Sequence, residues 1–207
     1  HDLRGPLTNA LGLIELIGQE VNENNDTIGY LKDTLNEMLS IVDSLHNIIY
    51  YRNLAENNQY FEIKPVLTQT FSKAKGETGI QEGELEIIHH GIREIATLPE
   101  SFQMIFFQLF KNGLKFANDS GTPNIRVEIS DQEQSWQFHV ADNGPGMDSQ
   151  IESNIFEMFT RGEGKTGKGL GLFQAKTLVE KTGGTINLEE NTAKGTTFAV
   201  TIPKQKE

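Results

Sequence analysis

The amino-acid sequence predicts two unlike parts: an all-α helical hairpin over residues 1–53 and an α+β two-layer sandwich over residues 61–207, joined by a polar linker at residues 54–60. In the first part, apolar residues recur at alternating spacings of four and three, which is the seam pattern of helical bundles. In the second part, helical and strand patterns follow one another without regular alternation. Such a mixture favours a two-layer sandwich over a doubly wound parallel sheet.

Two apolar stripes predict the two helices of the hairpin. The stripes consist of Leu3, Leu7, Ala10, Ile14, Ile17 and Val21 in the first helix and of Leu31, Leu35, Met38, Val42, Leu45 and Ile49 in the second. Further apolar residues, such as Leu13 and Leu39, widen both stripes, so that one hairpin exposes more apolar surface than it can cover. A second copy would bury the excess in a dimeric four-helix bundle. The alternative is a hairpin that packs on the downstream domain of its own chain.

The second part is predicted to contain three helices and several strands. Pro65 suits the first turn of a helix that follows the strand in FEIKPVL. The segment PESFQMIFFQLFKNGLKFA is a helix with phenylalanines on one face. ELEIIHH is predicted as a strand, NIRVEIS and SWQFHVA as a strand pair, and TINLEE with TTFAVTIP as a final hairpin. The third helix, GLGLFQAKTLVEKTGG, begins and ends at glycines, and the closing ones suit a left-handed cap.

Composition and charge exclude several classes of protein. With a formal net charge of −11, the chain lacks the clustered Lys and Arg that a nucleic-acid-binding surface needs. Its longest apolar runs are far shorter than the roughly 20 residues of a membrane span, and a sequence without cysteine forms neither disulfides nor thiolate metal sites. Because the chain begins at His1 without a start methionine, we expect a cytoplasmic fragment of a longer protein, in which any inner-membrane anchor lies upstream.

One flank of the helix predicted at residues 100–118 carries polar side chains. Gln108, Asn112 and Lys115 lie on the same side of it, since residues three and four apart are neighbours on a helix. An amide oxygen such as that of Asn112 is a hard ligand suited to Mg²⁺, which commonly takes phosphate oxygens as further ligands. Lys115 would then meet phosphate charge directly. Taken alone, the pattern also fits a solvated helix flank.

The loop DNGPGM, residues 142–147, follows the strand SWQFHVA. Asp142 therefore lies where a strand ends at the rim of a pocket, and its carboxylate can accept a hydrogen bond from an exocyclic amine such as that of adenine. Gly144 and Gly146 allow the backbone to turn and to approach a planar ring closely. The alternative is an Asn-Gly turn in which the aspartate caps the loop.

A second glycine loop, GKGLGL at residues 167–172, opens a helix. Backbone N–H groups at the start of a helix, left unobstructed by Gly169 and Gly171, form a cradle for an anion. The loop lacks the Walker pattern. Arg161 and Lys168 belong to the glycine-rich segment FEMFTRGEGKTGKG, which leads from the first loop into the second and which we expect to close over bound phosphates. The alternative is a surface loop without a ligand.

The order of these segments resembles the ATP-binding domain of histidine kinases, in the fold shared with gyrase, Hsp90 and MutL. FFQLFKNGLKFA resembles the N box, DNGPGM the first glycine box, IFEMF the phenylalanine box and GKGLGL the second glycine box. Thr196, in GTTF, is similar to the threonine that supports adenine through water. The resemblance covers nearly all of residues 61–203, and HDLRGPL extends it to the phosphoacceptor box of the dimerisation domain.

The resemblance implies an ATP-dependent protein-histidine kinase that autophosphorylates His1 and passes the phosphoryl group to an aspartate of a response regulator receiver domain in signal transduction. It implies a homodimer through the hairpin, Mg²⁺ on Asn112, and Asp2 as the base that holds the imidazole. The bundle register separately predicts that His1 faces water, where a largely neutral ring keeps a lone pair for attack on phosphorus. The residues that the resemblance assigns to ATP are Asn112, Lys115, Asp142, Gly144, Gly146, Arg161, Lys168, Gly169, Leu170, Gly171 and Thr196.

Two positions depart from the family pattern. Gln108 stands where the family often has asparagine, so that its role as a second metal ligand stays open. Gly5 stands where many members carry a Thr or Asn that orients water for dephosphorylating the regulator. A glycine can orient nothing, and we therefore expect weak or absent phosphatase activity by that route.

Two other functions compete with the kinase. The first is an ATPase of the gyrase and Hsp90 type, which would need a carboxylate to activate water on the N-box helix, where Gln108 and Lys111 stand instead. The second is a nucleotide-binding dimerisation scaffold without kinase activity, which is hard to reconcile with Asn112, Asp142 and both glycine loops.

Overall fold

The structure is a computed structural model that describes residues 4–20, 26–55, 57–117, 121–162 and 168–204. The chain forms two compact units, His1–Tyr50 and Tyr51–Glu207. Within the described ranges, no helix is long and apolar enough to cross a membrane.

The first unit consists of helical chain. Helix α1 spans Arg4–Glu20 and helix α2 spans Asp26–Asn53, so both predicted helices are present. Large apolar side chains of the predicted stripes remain exposed in the single chain, among them Leu13 and Leu16 on α1 and Leu31 on α2. The pairing of the helices into a hairpin, and of two hairpins into a dimer, stays a prediction.

The second unit is a mixed α+β fold, as the sequence predicts. Its strands are β1 (Gln59–Glu62), β2 (Glu84–Ile88), β3 (Glu94–Thr97), β4 (Asn124–Asp131), β5 (Ser135–Asp142), β6 (Thr185–Thr192) and β7 (Gly195–Pro203). Its helices are α3 (Ile63–Thr78), α4 (Pro99–Ala117) and α5 (Gly171–Lys181), with a short 3₁₀ helix at Glu152–Asn154. Helix α4 lies between α3 and α5 and packs on β4 and β5.

The main sheet has five strands in the order β2, β4, β5, β7, β6, so that β2 and β6 form its edges. The predicted pairs β4 with β5 and β6 with β7 are antiparallel, whereas β2 lies parallel to β4. A register shift between Leu188 and Glu190 interrupts the ladder of β6. The alternation along β4 buries Ile125, Val127 and Ile129 under the helices and leaves its other side chains on the open face of the sheet.

The core of the second unit depends on phenylalanines of α4. Phe102 and Phe106 are fully buried, with ring centroids 4.5 Å apart. Both pack against Phe138 of β5, at centroid distances of 5.6 and 5.1 Å, in the edge-to-face geometry that aromatic rings favour. These contacts fix the rotation of α4 about its own axis and therefore decide which of its side chains face away from the sheet.

The predicted helix boundaries in the second unit agree with the structure. Helix α4 spans Pro99–Ala117, the predicted segment PESFQMIFFQLFKNGLKFA, and so lies within one residue of the range 100–118. Helix α3 begins at Ile63, two residues before Pro65. In this first turn a backbone N–H would have no partner within the helix, so the N–H that proline lacks is not missed. Helix α5 ends at Lys181, and Gly183 follows with a φ of 79°, the left-handed conformation expected for a closing glycine.

Strand β3 and its pairing with β1 were not predicted. The two strands form a separate antiparallel ladder in which Gln59 faces Thr97. Each strand has only four residues, which is too short for a period of two to stand out. Strand β1 also begins inside the residues predicted as linker. Gln59 and Tyr60 are exposed, so their side chains give no apolar signal that would distinguish a strand from a linker.

The side chain of Lys181, at the end of α5, binds the backbone where α2 ends. Its ammonium group donates hydrogen bonds to the carbonyl oxygens of Tyr51 at 2.8 Å and Leu54 at 2.9 Å. A cation suits this position because the last carbonyls of a helix lack internal partners.

We predict that Phe102→Ala lowers the free energy of unfolding of the second unit by about 3–5 kcal/mol, because it opens a cavity in a fully buried aromatic cluster. Urea unfolding followed by the fluorescence of Trp136, the single tryptophan of the chain, measures this unit selectively. The matched control is Phe159→Ala, whose ring is 53% exposed and whose loss we expect to change stability by no more than about 0.5 kcal/mol. Equal losses in both variants would contradict this placement of the core.

Candidate functional site

The candidate site has two ends, which we call its poles. The first pole is built on Asp142, the last residue of β5. Its Oδ1 accepts hydrogen bonds from the backbone N–H of Gly144 at 2.8 Å and of Thr196 at 3.2 Å. Both donors address the same oxygen, so that Oδ2 is the atom able to accept from a ligand. The structure thus brings together three of the predicted residues in one loop cluster.

Burial raises the pKa of the Asp142 carboxyl above its ordinary value of 3.8, while the hydrogen bonds from Gly144 and Thr196 lower it by less. The desolvated carboxylate is therefore an unusually strong acceptor that the fold holds at a cost in stability.

Asparagine side chains that the sequence analysis did not select hold the first glycine loop. Asn143 Oδ1 accepts from the backbone N–H of Asn124 at 2.8 Å, and its Nδ2 donates to the carbonyl of Thr122 at 3.0 Å. Asn191, on β6, accepts from the N–H of Met147 at 2.7 Å and donates to its carbonyl at 2.9 Å. The Asn in the loop was visible as a turn signal, whereas the one on β6 lies 44 residues away from its partner and gives no local signal.

Gly146 meets a steric requirement in that loop. Its φ is 77°, and a Cβ at this position would lie 2.3 Å from the carbonyl oxygen of Thr192. Only glycine fits this conformation and this approach. The backbone of the loop is thereby held against the hairpin of β6 and β7.

The second glycine loop forms the other pole. Gly169 has a φ of 65°, and a Cβ there would lie 2.5 Å from the carbonyl oxygen of Thr160. Its own carbonyl accepts from the N–H of Phe159 at 2.8 Å. Leu170 is buried, and α5 begins at the next residue, Gly171. The apolar side chain of Leu170 cannot cap the helix. Because the first N–H groups of a helix have no partner within it, those of α5 can donate to an anion.

Helix α4 connects the two poles. A Cβ at Gly171 would lie 2.9 Å from Gln108 Oε1 and 3.8 Å from Asn112 Oδ1, so that two amide oxygens of α4 face the start of α5. A Cβ at the next residue of α4, Gly113, would lie 3.3 Å from the Cβ of Asp142. Adjacent residues of one helix therefore contact both poles, which the sequence pattern of a polar helix flank did not reveal.

Of the remaining predicted residues, three cations are described and others lie outside the described ranges. The ammonium of Lys115 lies 5.4 Å from the ring centroid of Phe116. Arg161 is exposed and Lys168 is partly buried, and between them residues 163–167 lie outside the described ranges. His1 and Asp2, predicted as the phosphoacceptor and its base, also lie outside the residues that the structure describes.

Comparison with known proteins gives one matching family, described as histidine kinase-, DNA gyrase B- and HSP90-like ATPases, over residues 97–206. The chain is 29% identical over 212 residues to the phytochrome-like protein Cph1 of Synechocystis sp., and 26% identical over 220 residues to the circadian input-output histidine kinase CikA of Synechococcus elongatus. These matches cover 98% and 99% of this chain but only 28% and 29% of the relatives.

A solved structure, that of full-length ShkA in complex with AMPPNP, matches this chain with a TM-score of 0.73. The match covers 100% of this chain and 45% of that one at 20% sequence identity, which shows a common fold.

We predict that Asp142→Asn raises the thermal stability at pH 7 and that the gain vanishes at low pH. A carboxyl group whose pKa is raised by folding binds its proton more tightly in the folded state, so that its contribution to stability falls as pH rises from about 3.8 through the raised pKa. Asparagine removes this loss. Thermal unfolding of both proteins between pH 3 and pH 8 measures the effect.

The control for this titration is Glu128→Gln. A hydrogen bond from His90 lowers the pKa of Glu128, so that this substitution should lower the stability at pH 7. An Asp142→Asn protein that is less stable than the parent at pH 7 would contradict a raised pKa of Asp142.

We predict opposite effects on stability for two glycine substitutions. Gly169→Ala forces a Cβ against the backbone of Thr160 in a left-handed conformation, which we expect to cost about 1–3 kcal/mol or more. Gly76→Ala, at an exposed position of helix α3 with nothing within 4 Å of the new Cβ, should stabilise by about 0.4–1 kcal/mol. Denaturant unfolding measures both, and a Gly169→Ala protein as stable as the parent would show that the loop has another conformation.

Proposed function

The chain belongs to the family of histidine kinase-, DNA gyrase B- and HSP90-like ATPases, as the ATPase domain of a sensor histidine kinase, and on that premise we propose that it binds ATP with Mg²⁺ and transfers the γ-phosphoryl group to His1. The observation that carries the proposal is the arrangement of the two poles along α4. A partly buried carboxylate stands at one pole, a glycine-lined helix start stands at the other, and amide oxygens lie beside the second.

The adenine is proposed to bind at the Asp142 pole. Its exocyclic amine donates to Oδ2, since Oδ1 is occupied by two backbone donors. The close approach of backbone at Gly146 leaves a flat wall for the ring. Thr196, 4% exposed behind the carboxylate, supports the same end of the base.

The phosphates are proposed to bind at the α5 pole. The N–H groups of the first turn of α5, which begins at Gly171, and the positive end of the helix dipole favour the negative charge of the triphosphate. Lys115 on α4 supplies further positive charge, as do Arg161 and Lys168 in the glycine-rich segment that leads into the second loop. Catalysis of phosphoryl transfer rests on such positioning and charge neutralisation.

The donor set beside Gly171 fits a magnesium ion. Asn112 Oδ1 and Gln108 Oε1 are neutral amide oxygens, which are hard ligands of the kind that Mg²⁺ accepts together with phosphate oxygens and water. When bound, the ion neutralises phosphate charge. The two amides hold their oxygens on the phosphate side of α4.

In the proposed transfer, a neutral ring nitrogen of His1 attacks the γ-phosphorus as the bond to ADP breaks, and Asp2 holds the other ring nitrogen and receives its proton. The resulting phosphohistidine passes its phosphoryl group to an aspartate of a response regulator receiver domain. A homodimer of hairpins, supported by the exposed apolar stripes of α1 and α2, is proposed to display His1 in the cytoplasm. The two-domain division at residues 1–53 and 61–207 is part of this proposal.

We predict that incubation with γ-labelled ATP and Mg²⁺ gives an acid-labile, base-stable label on this chain and that His1→Gln abolishes it. The control is His46→Gln, which removes a histidine of α2 and should leave the labelling unchanged. Quantitative filter binding after acid or base treatment measures the label. Release of free phosphate without label would indicate the ATPase alternative, and neither product would indicate a nucleotide-binding scaffold.

A further inference from the structure

A buried glutamine on α5 makes the closest polar contact between α4 and α5 among the hydrogen bonds described at the site. Gln174 is 6% exposed, among the apolar residues by which α5 joins the core. Its Oε1 accepts a hydrogen bond from Gln108 Nε2 at 2.7 Å. An amide buried in this way costs free energy unless it is paired, so this contact determines how the side chain lies.

The contact decides which way the Gln108 amide points. Its Nε2 carries two protons, of which one goes to Gln174 Oε1 and the other to the sulfur of Met104 at 3.6 Å. With the NH₂ group directed to these two acceptors, Oε1 is directed to the opposite side. There it faces Gly171, on the same side as Asn112 Oδ1.

A purely structural role explains this pair poorly. Gln174 Nε2 is buried without a hydrogen-bond partner within the described ranges. A buried unpaired donor destabilises the fold, whereas apolar side chains of similar shape at both positions would pack without that penalty. A pair that leaves a donor unsatisfied is typical of a site where orientation matters more than stability.

We propose that Gln174 is a positioning residue for the metal–nucleotide site: it holds the amide of Gln108 so that Oε1, together with Asn112 Oδ1, faces the phosphate pole. This inference rests on the proposed function and extends it to a residue that touches neither the nucleotide nor the metal. The contact with Gln174 also explains how a glutamine can act as a metal ligand at position 108, where the family often has asparagine. The longer side chain has one more rotatable bond than asparagine, and the hydrogen bond to Gln174 removes that freedom. Groups behind a metal ligand commonly orient it in this way.

The experiment is calorimetric titration of the full chain with AMPPNP, once with Mg²⁺ and once with EDTA. We expect the parent to bind more tightly with Mg²⁺. Gln174→Met should lose about tenfold or more of that Mg²⁺-dependent gain, and its affinity in EDTA should equal that of the parent. Gln108→Met should show the same loss, and the double variant should be no worse than either single one, because both act through one oxygen.

The matched control is Gln103→Met, which makes the same change at an exposed position of α4 and should keep the full Mg²⁺-dependent gain. Trp136 fluorescence melts verify that every variant is folded at the titration temperature. The inference is overturned if Gln174→Met keeps the gain, or if it weakens binding equally in EDTA, which would indicate general damage to the pocket. A parent that binds AMPPNP under neither condition overturns the proposed function, and this inference with it.

Discussion

The packing of the α4 phenylalanines against the sheet is the constraint on which the rest of the second unit depends. Burial of each such ring contributes about 1.5–3 kcal/mol, so a rotation of α4 that exposed Phe102 and Phe106 would be strongly disfavoured. With that face fixed, the helical period places Gln108 and Asn112 beside the start of α5 and Gly113 against Asp142. One apolar face therefore aligns the polar groups at both poles.

The site itself is built at a cost to the fold. Asp142 is a carboxylate whose surroundings disfavour its charge, and Gln174 keeps a buried donor without a partner in the described structure. Two glycines in left-handed conformation, Gly146 and Gly169, approach other backbone too closely for any side chain. Violations of local folding rules that cluster in this way are characteristic of functional sites, where they are compensated by the core.

The sequence predicted those features that are encoded locally. The bounds of α4 follow from a strong helical period of apolar residues. The two glycine loops stand out in the sequence because closely spaced glycines mark places where backbone must turn or approach other backbone closely. Pairings between distant segments were not predictable: the parallel ladder of β2 with β4, the four-residue strand β3, and the contact of Asn191 with Met147. Gln174 was overlooked because in sequence it is one polar residue on an amphipathic helix, and its partner lies 66 residues away.

The strand order has a consequence for the solubility of the protein. Because β2 and β6 border the sheet in the part of the chain that the structure describes, each presents a row of backbone groups that no other strand of the sheet pairs. On β2 the exposed residues are Glu84 and Glu86, and on β6 they include Glu189 and Glu190, next to the register shift that distorts its ladder. Charged side chains on an edge strand disfavour its pairing with the edge of a neighbouring molecule, so that these glutamates protect the open sheet against edge-to-edge aggregation.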